Sequence, residues 1–143
     1  MKNKLFTVVV TVGLLAGVRS VVAQDSVTIS TTSVADNIYL LNGKGGNIGL
    51  FVGDDGSFII DDQYAPLTEK ILEAIKAVGG DTPKFLINTH FHGDHTGGNE
   101  NMGNKGALIV SHDNVRQRLE DGSFIKAFNL KSSVGKIIVL LSG

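Results

Sequence analysis

Cysteine is absent from the chain. That absence excludes a disulfide framework, a zinc site built on thiolates and a thiol nucleophile. A basic stripe is missing too, so nucleic acid is not an expected partner. The sequence shows no internal repeat, and at 143 residues it makes one domain at most. With 19% charged and 42% hydrophobic residues the composition is globular rather than disordered.

The first residues read as a targeting segment. Lys2 and Lys4 precede a long apolar stretch from Leu5 to Val18, and Val21-Val22-Ala23-Gln24 offers small or modest residues at a cleavage point. Charged start, apolar middle and small residues before a cut describe a secretory signal peptide over 1–23, leaving 24–143 as the mature chain. The alternative is an uncleaved anchor, because the apolar region approaches spanning length. Cleavage after Ala23 removes three of the 13 basic residues and none of the 14 acids, which gives the mature chain a charge of about −4. The expected location is periplasmic or secreted, with no stable membrane insertion after cleavage.

Beyond the leader the patterning alternates between two periods. Val27 to Thr32 and Ile38 to Leu41 read as short strands, and Asn42-Gly43-Lys44-Gly45-Gly46 supplies turn chemistry before the extended run Asn47 to Val52. Asp54-Asp55-Gly56 is a hairpin signal leading into Ser57 to Ile60. Leu67, Ile71, Leu72, Ile75 and Val78 then fall at helical spacing, with Pro66 at the start and Gly79-Gly80 at the end. Lys84 to Thr89 (KFLINT) is a compact strand, Ala107 to Val110 another, and a short helix runs from about Asp113 to Leu119. Hairpins followed by β-α-β-α predict a layered α/β fold. The tail from Lys131 fits less well: it ends in the apolar run Ile137 to Leu141, a strand with no chain left to supply its neighbours.

The strand KFLINT delivers the chain into NTHFHGDHTGGN, where three of the four histidines fall within six positions. His90 and His92, two apart on an extended segment, point the same way and can chelate one ion. Gly93 allows a sharp turn, after which Asp94 and His95 present an oxygen and a nitrogen toward a second position. Imidazole and carboxylate without thiolate suit zinc, with iron or manganese also compatible. The strand's carboxyl end is where α/β folds place their sites. A solvated histidine-rich turn is the bland alternative, and three histidines with an aspartate at this spacing argue against it.

The HFHGDH stretch resembles the HxHxDH signature of the metallo-β-lactamase superfamily, and Asp61 at the end of FIIDD matches that family's earlier aspartate. The order of hairpins, FIIDD, helix and KFLINTHFHGDHTGGN is similar to the family's N-terminal half from about Val34 to His112. The resemblance implies half of an αββα sandwich, with two zinc ions held between the halves. It implies that His90 and His92 ligate the first zinc and that Asp94 and His95 ligate the second, Asp94 being also the catalytic candidate. Asp61 would lie behind them, hydrogen-bonded to the loop and orienting it. A histidine at position 95 is similar to lactonases, glyoxalase-II-like thioesterases and one β-lactamase subclass rather than to the subclass with arginine there. The implied reaction is attack of a metal-bound hydroxide on the carbonyl of a small-molecule substrate: a β-lactam, a lactone or a thioester.

The match has a limit. In the family each zinc also takes a histidine from the C-terminal half, and this sequence has none after His112. Two protein ligands per metal fall short of the three plus water usual at a catalytic zinc. His112 itself reads as a residue packing or hydrogen-bonding at the start of a helix capped by Asp113. Half a sandwich would also leave one sheet face open to water, so self-association through that face is expected. The expectation is therefore an exported zinc hydrolase present as its N-terminal fragment. Its rival is a non-catalytic metal-binding or assembly fragment lacking the C-terminal ligands.

Overall fold

A computed structural model describes residues 27–121 and, beyond them, the strand residues 124–125, 130–131 and 137–141. The leader expected over 1–23 and its cleavage point lie outside the described residues. The strands are β1 (Ser30–Ala35), β2 (Ile38–Asn42), β3 (Ile48–Gly53), β4 (Gly56–Ile60), β5 (Phe85–Asn88), β6 (Leu108–His112), β7 (Phe124–Ile125), β8 (Leu130–Lys131) and β9 (Ile137–Leu141). The helices are α1 (Thr68–Ala77), α2 (Gly93–Thr96), α3 (Asn99–Asn104) and α4 (Asp113–Glu120), with a 3₁₀ turn at Ala65–Leu67 before α1.

The layered α/β expectation holds. A seven-stranded sheet has the order β1-β2-β3-β4-β5-β6-β9. Its first four strands are joined antiparallel by hairpins, and β4, β5, β6 and β9 run parallel. The three parallel pairs need crossovers, which carry α1, the α2–α3 segment and α4 in turn. The run Ile137 to Leu141 does have a neighbour: it pairs with β6.

Strand alternation sorts the side chains between the two faces. One face buries Leu41, Ile48, Leu50, Ile59, Leu86 and Ile109 against Leu67, Ile71 and Ile75 of the α1 region and Met102 of α3. Each fully buried aliphatic side chain of this kind contributes about 1.5–3 kcal/mol. The opposite face carries Ile38, Ile60, Phe85, Ile87 and Leu108, each between 39% and 45% exposed. Ile38, Phe51, Phe58, Phe85 and Leu108 form one rung across five strands. Phe51 and Phe58 stack with ring centroids 4.6 Å apart. Among the described residues, helices cover one face of the sheet and leave the other apolar, as half of a sandwich would.

The first strand begins later than its apolar residues suggest. Val27 and Ile29 pack against the core, and pairing starts at Ser30, opposite Asn42. The tight turn that sets this register contains Asn37 in the left-handed region (φ 62°), a conformation asparagine tolerates.

Candidate metal centre

The site is built where β4 and β5 end side by side. Ile60 of β4 pairs with Ile87 of β5, and the next residue, Asp61, turns into the left-handed region with φ 64°; Gln63 does the same with φ 57°. Such a conformation costs a non-glycine residue about 1–2 kcal/mol. It aims three consecutive polar side chains inward: Asp61, Asp62 and Gln63 are 3%, 0% and 0% exposed.

Each of the three holds a different segment. The Asp61 carboxylate accepts from the Thr89 backbone N–H (2.8 Å) and the Thr89 hydroxyl (2.7 Å), and its Oδ2 lies 2.7 Å from Nδ1 of His95. Asp62 accepts from the Gly98 backbone N–H at 3.1 Å, and its own backbone N–H donates to the His95 carbonyl. Gln63 reaches the loop between β2 and β3, accepting from Lys44 N and donating to the Gly46 carbonyl. Below the loop, Asn88 and Asn99 form a buried reciprocal amide pair at 3.1 and 2.8 Å. The loop is fixed by side-chain hydrogen bonds from beneath.

On this support the predicted residues converge. One oxygen of Asp61 and one ring nitrogen each of His90 and His95 lie within 4.8 Å of one another. The His90 and His92 rings sit edge to face with centroids 4.7 Å apart, and those of His90 and His95 are 4.0 Å apart. Asp94 Oδ2 is 3.5 Å from Nε2 of His95. Each pair expected from the spacing is therefore adjacent, while the tightest trio includes Asp61. His112 stands elsewhere, at the start of α4, where its Nδ1 accepts from the Asn114 backbone N–H at 3.1 Å. The cap is thus His112 itself; Asp113 lies inside the first turn and pairs with Arg116. Gly93 also differs from expectation: it opens α2 without a positive φ, and a Cβ there would meet nothing within 4 Å. The turn comes from the helical start, not from glycine's freedom.

Electrostatics follow from burial and crowding. Burial, followed by the neighbouring His95 and His92, holds His90 below the ordinary histidine value, with Asp61 and Asp94 opposing. Burial pushes the Asp62 carboxyl up to about 8, helped by the charge of Asp61 and opposed by the Gly98 hydrogen bond. Asp62 Oδ2 has no hydrogen-bond partner among the described residues.

The donor set fits a zinc ion. It offers imidazole nitrogens and carboxylate oxygens, the borderline ligands zinc accepts. The Asp61 carboxylate faces Nδ1 of His95, so in the neutral ring the proton sits on Nδ1 and the Nε2 lone pair is free toward Asp94. The glycine loop closes one side: a Cβ on Gly46 would stand 2.3 Å from Cε1 of His95.

Comparison with known proteins identifies the family and the fold. The family model described as the metallo-beta-lactamase superfamily matches residues 41–115, just over half of the chain. No curated protein matches. Among solved structures the chain is similar to BJP-1, a subclass B3 metallo-β-lactamase of Bradyrhizobium japonicum, with 25% identity over 80% of this chain and a TM-score of 0.70. It is similar to the metallo-β-lactamase MIM-1 from Novosphingobium pentaromativorans, with 25% identity over 75% of this chain and a TM-score of 0.64. The fold is shared with FEZ-1 from Legionella gormanii, at 19% identity over 79% of this chain and a TM-score of 0.68. The match covers 46%, 42% and 47% of those three chains, so this chain spans just under half their length.

Proposed function

This chain belongs to the metallo-β-lactamase superfamily, and we propose that it supplies the first half of a zinc-dependent hydrolase site in which His90, His92, Asp94 and His95 hold the metal. The observation that carries this reading is the convergence of His90, His95 and the buried Asp61 within 4.8 Å, with His92 and Asp94 beside them. When bound, zinc would lower the pKa of water toward about 7 and polarise a carbonyl. The chain's own residues do the rest. Asp61 holds the His95 proton on Nδ1 and ties that ring to the end of β5 through Thr89. Asp94 places a carboxylate oxygen beside His95 Nε2, where it can accept a proton during hydrolysis. The proposed substrates are small molecules with a scissile carbonyl: β-lactams, lactones or thioesters. Iron or manganese would suit the same donors.

Two further proposals accompany this one. The chain is exported and cut after Ala23 to a periplasmic or secreted form; among the described residues no helix is long and apolar enough to cross a membrane. The apolar sheet face is covered by association, in the simplest case with a second copy.

Metal binding without turnover is the second reading, and the histidine count favours it for this chain alone. The fourth histidine, His112, has its Nδ1 engaged at a helix start, leaving two ligands for each metal. Zinc competition titration and hydrolysis assays on β-lactam, lactone and thioester probes test both readings. The expected result is weak zinc binding that His90→Ala removes, with little or no turnover by the chain alone. Absence of any zinc binding sinks the site. Zinc-dependent turnover that is lost in His90→Ala sinks the incomplete-site argument.

A further inference from the structure

Gln63 donates nothing to the metal cluster, yet it is fully buried in a left-handed backbone conformation. A buried primary amide demands partners, and this one spends both ends on the backbone of a single loop. Its Oε1 accepts from Lys44 N at 3.1 Å and its Nε2 donates to the Gly46 carbonyl. The loop is Gly43-Lys44-Gly45-Gly46, and it is clamped from two sides. On the inner side a Cβ on Gly43 would lie 2.5 Å from Oε1 of Gln63. On the outer side a Cβ on Gly46 would lie 2.5 Å from Nε2 of His95, and one on Gly45 2.6 Å from Cβ of Asp94. Gly45 also has φ +92°, so glycine is required there for conformation as well as for space.

Asp61 fixes His95 at Nδ1 only, and a ring held at one atom can still tilt about that bond. The glycine backbone blocks the tilt on the Nε2 side. The loop can act as a stop only if it is itself held, and the side chain holding it is Gln63. We propose that Gln63 is a positioning residue: by tying Gly43–Gly46 down, it sets where His95 Nε2 and Asp94 Oδ2 lie. A purely structural Gln63 would stabilise the loop without affecting the imidazole.

The test uses the full chain with Gln63→Met, which keeps the side-chain volume and removes both hydrogen bonds, beside Gly46→Ala and the control Gly103→Ala. A Cβ at Gly103 would make only an ordinary contact, 3.6 Å from Ile109. The first readout is the ¹⁵N chemical shift of the His95 ring in metal-free protein, and the second is zinc affinity by chelator competition. Only the second arm rests on the zinc reading, so failure of wild-type zinc binding leaves the first arm decisive for Gln63. The expected result is a shifted His95 Nε2 resonance and about tenfold weaker zinc binding in Gln63→Met and Gly46→Ala, a size typical of groups that orient ligands. Gly103→Ala should match wild type. Folded Gln63→Met with wild-type His95 shifts overturns the proposal. Should Gln63→Met fail to fold, Gln63→Glu, which keeps the acceptor for Lys44 N–H and loses the donor to the Gly46 carbonyl, carries the same expectation and the same refutation.

Discussion

Replacing Asp61 by asparagine separates a carboxylate that orients His95 from one that merely fills space. The two side chains have nearly the same shape, and asparagine tolerates the left-handed φ of 64°. One amide oxygen can still accept from the Thr89 N–H. The Nδ2 group then stands where Oδ2 stood, 2.7 Å from both Nδ1 of His95 and the Thr89 hydroxyl. An N–H at that position can satisfy His95 only if Nδ1 is bare, which moves the imidazole proton to Nε2. That is the nitrogen proposed to face the metal, and a protonated nitrogen cannot ligate.

The magnitudes follow from the bonds exchanged. A hydrogen bond to a charged group contributes about 1.5–3 kcal/mol and a neutral one about 0.5–1.5. The net loss in folding stability is therefore about 1–2 kcal/mol, or roughly 4 °C in Tm per kcal/mol for a chain of this size. Zinc affinity should fall further, by about 10- to 100-fold. Asp61→Ala is the harsher comparison, since it leaves the Thr89 N–H without its acceptor and forces alanine to a positive φ. Thermal melts, chelator competition and the ¹⁵N shifts of His95 measure the three effects. An Asp61→Asn protein that folds, keeps its proton on Nδ1 and binds zinc within about twofold of wild type would refute the orienting role.

Other outcomes are expected elsewhere. In the metal-free chain the Asp62 carboxyl keeps its proton to about pH 8, whereas the ordinary value is 3.8; between these the native state binds more protons, so stability falls as pH rises, by at most ~1.4 kcal/mol per pH unit. Asp62→Asn should flatten that slope in pH-dependent urea melts, and an unchanged slope counts against the assignment. Asn99→Ala strips Asn88 of its buried partner and should cost about 1–3 kcal/mol, with the Asn88→Ala/Asn99→Ala double variant losing less than the sum. If the apolar sheet face is covered by a second copy, sedimentation velocity should show association that Ile60→Lys and Ile87→Lys weaken; a wild-type chain monomeric at every concentration would exclude it. Mass spectrometry of exported protein should find Gln24 at its N-terminus, and a secreted chain still starting at Met1 would contradict cleavage.

The elements that could be read from the sequence are those whose signal is local. Asp54-Asp55-Gly56 marks a hairpin because its turn chemistry needs no distant partner, and the β3–β4 pairing follows it directly. The 67–78 helix was legible because one apolar stripe, centred on Ile71 and Ile75, faces the sheet. By contrast α2 and α3, GDHT and NENMGN, contain weak helix formers and no apolar stripe. Tertiary bonds hold that segment instead: the Gly98 N–H on Asp62, and the Asn101 side-chain amide on the Ala65 carbonyl and the Thr68 hydroxyl. A reader of the chain sees mostly glycine and asparagine around the histidine, and infers a loop.

The candidate site divides along the same line. His90, His92, Asp94 and His95 announce themselves because titratable side chains at close spacing are rare and share one strand end. Their support does not. Asp61 stands out only beside a family pattern, and nothing in the letters Asp-Asp-Gln at 61–63 distinguishes three buried side chains from a solvated turn. What buries them is the left-handed backbone at Asp61 and Gln63, a conformation that aspartate enters more often than most residues but that nothing in a glutamine announces. That strain is repaid by bonds to Thr89, Gly98, Lys44 and Gly46, which lie 17 to 36 residues away in sequence from the side chains they meet. The histidines could be found by inspection because ligands are chosen by chemistry, whereas the residues that aim them are chosen by position, and position exists only once β4 and β5 lie side by side.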